Sequence, residues 1–158
     1  MPDAALEDLY REILLDHYRN PRHHGHLDAA NHKADGANPL CGDQITIEAT
    51  VNADGRIEDI AFSGAGCSIS QASSSMMTVY VAGHTTAEAL RAVETFQQMM
   101  LTGEAPSTAE QDLGDIEALA GVAKFPVRVK CASLAWKTLQ QALQSQTAAA
   151  VTTDERSE

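Results

Sequence analysis

Gln44-Ile45-Thr46-Ile47-Glu48-Ala49-Thr50-Val51-Asn52-Ala53-Asp54-Gly55-Arg56-Ile57-Glu58-Asp59-Ile60-Ala61-Phe62-Ser63 is the stretch that decides the fold. Ile45, Ile47, Ala49 and Val51 alternate with polar or small residues, the period of a half-buried strand. Asn52-Ala53-Asp54-Gly55 is a turn in composition. Residues 56–63 then return, with Ile60 and Phe62 on one face. Two alternating runs joined by a short polar turn predict an antiparallel hairpin.

Upstream, Leu6, Leu9, Tyr10, Ile13, Leu14 and His17 fall at helical spacing over residues 4–18 and predict one apolar stripe. Asn20-Pro21 ends that helix, because the residue before proline is pushed out of the helical region. Residues 20–42 read as a loop with a short edge strand near 32–37. Downstream, the Gly-flanked turn Gly64-Ala65-Gly66-Cys67 leads into a helix over about 69–81, which Gly83 stops. Thr85 and Glu88 match a capping box. The helix they open runs to about Leu101, burying Ala89, Leu90, Val93, Phe96 and Met100, and Gly103 ends it. A surface loop follows, then a short helix over 115–120. Pro126 suits a first helical turn, and the last helix runs to about Leu143 with Val127, Cys131, Leu134, Ala135, Leu139 and Ala142 on one face. No repeat or long linker divides the chain, so residues 1–146 are expected to form a single domain and 147–158 a disordered tail.

Composition narrows the function. The chain has 158 residues, enough to bury about 70% of its unfolded surface. Its formal net charge of −11 argues against a nucleic-acid partner. No apolar run approaches the roughly 20 residues of a membrane span. The acidic start, Met1 to Asp8, lacks the pattern of a secretory signal. With three cysteines, an odd number, the expectation is a reducing, cytoplasmic compartment with free or metal-bound thiols.

The three thiols stand in unusual surroundings. Cys41 lies in Asn38-Pro39-Leu40-Cys41-Gly42-Asp43, entering the hairpin, and Cys67 lies in the turn leaving it. Antiparallel neighbours meet at one end, so these two are expected to be close. Cys131 joins them if the last helix points its N-terminus the same way. Asp43, beyond flexible Gly42, is placed to supply an oxygen. Three thiolates and a carboxylate satisfy tetrahedral zinc, and the same soft set suits an iron–sulfur cluster. Unpaired N–H groups at the helix starts near Cys67 and Cys131 favour thiolates. A zinc ion with those four ligands carries a net negative charge, so a cation is expected beside it. Arg128 shares the Cys131 helix face, whereas Lys130 points elsewhere. Spacing alone also fits three buried small hydrophobes, since no CxxC pair is present.

Two other sites compete. His23, His24, His26 and His32 crowd one segment, a pattern that binds metal in some proteins but in a Gly/Pro loop fits solvated side chains better. A papain-like Cys–His hydrolase lacks its local signature here and leaves two thiols unexplained.

The motifs resemble a known family. Asn-Pro-Leu-Cys-Gly-Asp at 38–43, Gly-Ala-Gly-Cys-Ser-Ile-Ser at 64–70 and Val-Arg-Val-Lys-Cys-Ala-Ser-Leu-Ala-Trp at 127–136 look like the three cysteine motifs of the NifU/IscU-like iron–sulfur cluster assembly proteins. The opening helix, 9–22, is similar as well, and the resemblance spans roughly 6–145. It is closer to the SufU type than to IscU. Lys130 stands where IscU has a His, Lys124-Phe125-Pro126-Val127-Arg128 replaces the IscU chaperone-binding motif, and the stretch from about Gly103 to Val122 is longer.

The resemblance implies an α+β fold, a small antiparallel three-stranded sheet packed against about five helices. It implies zinc on Cys41, Asp43, Cys67 and Cys131, or alternatively iron or a [2Fe–2S] cluster on the same ligands. It also implies a sulfurtransferase-like role rather than a small-molecule enzyme. Cys41 accepts persulfide sulfur from a SufS-type pyridoxal-phosphate cysteine desulfurase and passes it to a SufB-type cluster-building complex. Arg128 meets the partner or offsets the site's charge. The alternatives are a [2Fe–2S] assembly scaffold and a structural zinc docking module.

Overall fold

The computed structural model describes residues 4–28, 30–39, 42–104, 113–144 and 150–152. Its elements are α1 (Ala4–Arg19), β1 (His32–Asn38), β2 (Asp43–Val51), β3 (Ile57–Ala65), α2 (Ser68–Val81), α3 (Thr86–Thr102), a 3-10 helix (Gly114–Lys124), α4 (Pro126–Gln144) and β4 (Ala150–Thr152). The sheet order is β3-β2-β1-β4. β1, β2 and β3 are antiparallel, and five helices accompany them, the α+β architecture expected from the sequence. β4 pairs in parallel with β1 through Ala150 to Thr152. It lies within the stretch expected as a tail, whose remaining residues, 147–149 and 153–158, lie outside the described ones.

The hairpin forms because β-branched Ile45, Thr46, Ile47, Thr50 and Val51 suit a pleated, half-buried surface. Its inward face buries Ile45, Ile47 and Ala49 on β2 with Ile57, Ile60 and Phe62 on β3. α2 packs on β3, α4 on β1 and β2, and α1, α3 and the 3-10 helix close over them. Thr85 and Glu88 form the capping box at the start of α3, and Gly103 ends that helix. Trp136 of α4 is fully buried, stacked on Phe96 of α3 with ring centroids 4.6 Å apart. Ser73 Oγ of α2 accepts from Trp136 Nε1 and donates to the Ala132 carbonyl, pinning α2 to α4. No helix among the described residues is long and apolar enough to cross a membrane.

The histidine segment fences the sheet. Phe62 N–H donates to the His23 carbonyl and Gly25 N–H to the Phe62 carbonyl, so residues 23–25 cover the outer edge of β3. His26 Nδ1 bonds Glu48 Oε1 at 2.9 Å, His23 Nδ1 bonds Thr78 Oγ1 and His32 Nδ1 bonds Asn31 Oδ1. His24 packs edge-on against Phe62.

Four expectations need correction. Leu90 is only part-buried, because the buried face of α3 runs through Ala89, Ala92, Val93, Phe96 and Met100. Leu9 is 55% exposed, off the face on which Ile13 and Leu14 are part-buried and His17 is buried; the Leu6 and Tyr10 side chains lie outside the described ones. Val127 is also 55% exposed, in a first turn of α4 that is exposed from Pro126 to Arg128. The short helix at 115–120 is an eleven-residue 3-10 helix reaching Lys124, held by buried Ile116, Ala118, Leu119 and Val122.

Candidate metal centre

Strand register assembles the centre. Asn38 on β1 faces Asp43 on β2, and Gln44 beside Asp43 pairs with Ala65 on β3. The β1–β2 turn and the exit from β3 therefore share one end of the sheet. The exit is built tightly. Gly64 has φ +120, and a Cβ there would collide with the Gln44 carbonyl. A Cβ on Gly66 would lie 2.6 Å from Asp43 Oδ1. Only glycine lets this turn close over the carboxylate.

Cys67 is the N-cap residue of α2 and makes no side-chain capping bond. Its sulfur sits at a helix start, where the unpaired N–H groups carry partial positive charge. Its backbone N–H donates to Asp43 Oδ1 at 2.8 Å. Asp43 is 1% exposed, and its Oδ2 is buried with no partner among the described residues. Cys131 is fully buried. It lies in the second turn of α4, beyond the unpaired N–H groups, so the helix-start argument applies to Cys67 and not to Cys131. Cys131 Sγ donates to the Val127 carbonyl at 3.8 Å and accepts from Asn38 Nδ2 at 3.7 Å.

Asp43, Cys67 and Cys131 each offer a ligand atom, and these atoms lie within 4.8 Å of one another. It is the single such grouping of His, Cys, Asp or Glu among the described residues. Cys41 lies outside the described residues, between the turn positions Pro39 and Gly42. Arg128 is exposed in the first turn of α4. The negative charge of Cys67, then that of Cys131, holds its guanidinium above the ordinary arginine range. Lys130, two residues on, is half-buried.

Two sulfurs, a carboxylate and a buried carboxylate oxygen left without a partner fit a soft or borderline divalent ion. A buried acceptor with no donor is costly, and a cation removes that cost. Asn38 was quoted in the sequence only as part of a motif. Its signal was the four-residue link to Asp43, which makes the two residues opposite neighbours once both flanks are strands.

The NifU-like N terminal domain model matches residues 9–132. The chain is 45% identical over 152 residues to a Streptococcus pyogenes protein described as iron-sulfur cluster assembly scaffold protein IscU, covering 96% of this chain and 93% of that one. It is 48% identical over 140 residues to the zinc-dependent sulfurtransferase SufU of Bacillus subtilis, covering 88% and 92%. Among solved structures, a putative SUF-system assembly scaffold from Fervidobacterium islandicum superimposes with a TM-score of 0.78 at 35% identity, covering 89% and 99%.

Proposed function

Because the chain belongs to the NifU-like N-terminal domain family of iron–sulfur cluster assembly proteins, we propose that it is a zinc-dependent sulfur carrier working with a SufS-type cysteine desulfurase. Cys41 is the sulfur acceptor, and Asp43, Cys67 and Cys131 are metal ligands with it. The observation that carries this reading is the unpartnered Asp43 Oδ2, in a carboxylate set beside two thiols. The 48% identity to a zinc-dependent sulfurtransferase supports it.

When bound, zinc keeps its ligand thiols deprotonated at neutral pH. In the transfer step the Cys41 thiolate attacks the outer sulfur of the desulfurase persulfide. One S–S bond forms on Cys41, the donor S–S bond breaks, and the donor cysteine leaves as a thiolate. Cys67 and Cys131, anchored in α2 and α4, do not take part. Their helices are pinned by Ser73 and Trp136, whereas Cys41 stands in sequence between Pro39 and Gly42, a composition typical of loops, where local opening costs little. Arg128, exposed beside both sulfurs, is placed to meet a carboxylate of the partner. From Cys41 the sulfur passes to a SufB-type complex.

The test is to incubate the chain with desulfurase and cysteine and map the extra sulfur by peptide mass spectrometry. Sulfur on Cys41, lost in Cys41→Ala, is the expected result. Sulfur mainly on Cys67 or Cys131 overturns the assignment. The description of the Streptococcus relative as a scaffold favours a second reading, assembly of a [2Fe–2S] cluster on the same residues. A brown protein with visible absorption selects it, and a colourless protein holding one zinc excludes it.

A further inference from the structure

Asn38 is fully buried at the end of β1, yet only half of its amide has a partner among the described residues. Nδ2 donates to Cys131 Sγ at 3.7 Å, and Oδ1 has no partner among the described residues. An apolar side chain of the same size would fill this position without orphaning an acceptor. Among the described residues the side chain's one hydrogen bond is the N–H to Cys131.

We propose that Asn38 is a positioning residue for the metal centre: its N–H holds the Cys131 sulfur in its ligating orientation and sets how strongly that sulfur donates to the ion. The proposal rests on the metal reading above. In the thiol form the S–H of Cys131 is spent on the Val127 carbonyl, so the sulfur's acceptor side faces Asn38. Held on a metal, Cys131 would be a thiolate. The Val127 bond is then lost, and the Asn38 bond becomes charge-assisted and stronger. The amide favours the ligating form without adding charge to an already anionic site.

Asn38 is paired with Asp43 across β1 and β2, so the donor to one proposed ligand and the side chain of another move as one piece of sheet. Arg128 offers no such constraint, because it is exposed. Groups that hydrogen-bond a metal ligand orient it and tune its basicity.

Cobalt(II) is the probe, added to the full-length chain in place of zinc. Its sulfur-to-cobalt charge-transfer band reads the donor strength of the bound thiolates. Asn38→Leu keeps the volume and removes the N–H. The expected result is a folded variant whose band moves to longer wavelength and whose cobalt affinity falls about 10- to 100-fold. A band at the wild-type position overturns the proposal, even if affinity falls, because packing alone would lower affinity. If Asn38→Leu does not fold, the wild type loaded with cadmium-113 decides. Scalar coupling from the Asn38 amide protons to the metal is expected. Its absence, while the Cys131 β-protons do couple, overturns the assignment. A wild type that takes up no cobalt instead defeats the metal reading, and this proposal with it.

Discussion

The two ends of the same sheet are finished differently. At the β2–β3 turn, Asn52 Oδ1 accepts from Asp54 N–H and Arg56 N–H, and Asn52 Nδ2 donates to Glu58 Oε1. The turn is tied to the start of α3, with Thr86 N–H on the Gly55 carbonyl, Ile57 N–H on the His84 carbonyl and Arg56 on the Gly83 carbonyl. His84 Nδ1 lacks a partner among the described residues, but its ring is stacked flat on Tyr80. At the opposite end, Asn38 Oδ1 and Asp43 Oδ2, on facing residues beside two thiols, are both buried without a partner among the described residues. At the first end the polar groups of the turn pair within the polypeptide, His84 Nδ1 apart. The second leaves two buried acceptors open among the described residues. Buried polar groups are nearly always satisfied, so clustered exceptions distinguish a site from a turn.

The largest expected effect breaks this symmetry outright. At free zinc a thousandfold above the dissociation constant, the metal stabilises the fold by about 4 kcal/mol. Calorimetry before and after chelation measures it. Hydrogen exchange should show added protection at 38–45 and 63–70 and little at 52–57. An unchanged melting temperature, or protection spread evenly over both ends, defeats the comparison.

Next, Asp43→Ala should weaken zinc binding by about 100-fold, the upper order for disturbing a metal shell, while the chain stays folded. Chelator competition measures it, and parental affinity removes Asp43 from the ligand set. The mirror experiment is Asn52→Ala. It should cost about 1.5 kcal/mol, since an amide serving several turn bonds is lost, with zinc affinity unchanged. A drop in affinity would mean the two ends are not independent.

The smallest effect comes from a third region. His17 is buried on α1, with Nδ1 against Ser75 Oγ at 2.8 Å. Burial first, then the charge of Arg22, hold its pKa below the ordinary value, against weaker upward pulls from Asp16 and Asp115. The folded chain therefore keeps His17 neutral, whereas the unfolded chain protonates it near pH 6.5. Stability from this source is complete above about 6.5 and declines as pH falls below it. Urea midpoints should fall from pH 7.5 to 5.5, and less steeply in His17→Gln. Equal slopes in both proteins would show that His17 carries none of the dependence.

Much of this architecture is legible in local pattern. The alternation of Ile45, Ile47, Ala49 and Val51, the Thr85–Glu88 box and Pro126 each announce an element through a physical preference that acts over a few residues. The exposure of Leu9 and Val127 is not local, because it depends on where neighbouring elements stop covering a face. The 3-10 helix to Lys124 was missed for a related reason: tertiary packing of Ile116, Leu119 and Val122 sustains it. The approach of Cys131 to Asp43 and Cys67 depends on how α4 crosses the sheet, which periodicity does not encode. Asn38 was hidden differently. Its environment is set by register, and its two amide ends acquire different fates only in three dimensions.

Trp136 is the chain's only tryptophan, and it sits where α2 and α4 are pinned through Ser73. The protein thus contains its own optical gauge. Excited selectively, the single indole emits at short wavelength while the joint is dry and shifts red if water enters it. Its emission reports on the seating of the two helices that carry Cys67 and Cys131, with no label near either thiol. Watched during zinc uptake, desulfurase docking or chelation, it would separate a ligand exchange confined to the loops from a loosening of the helices beneath.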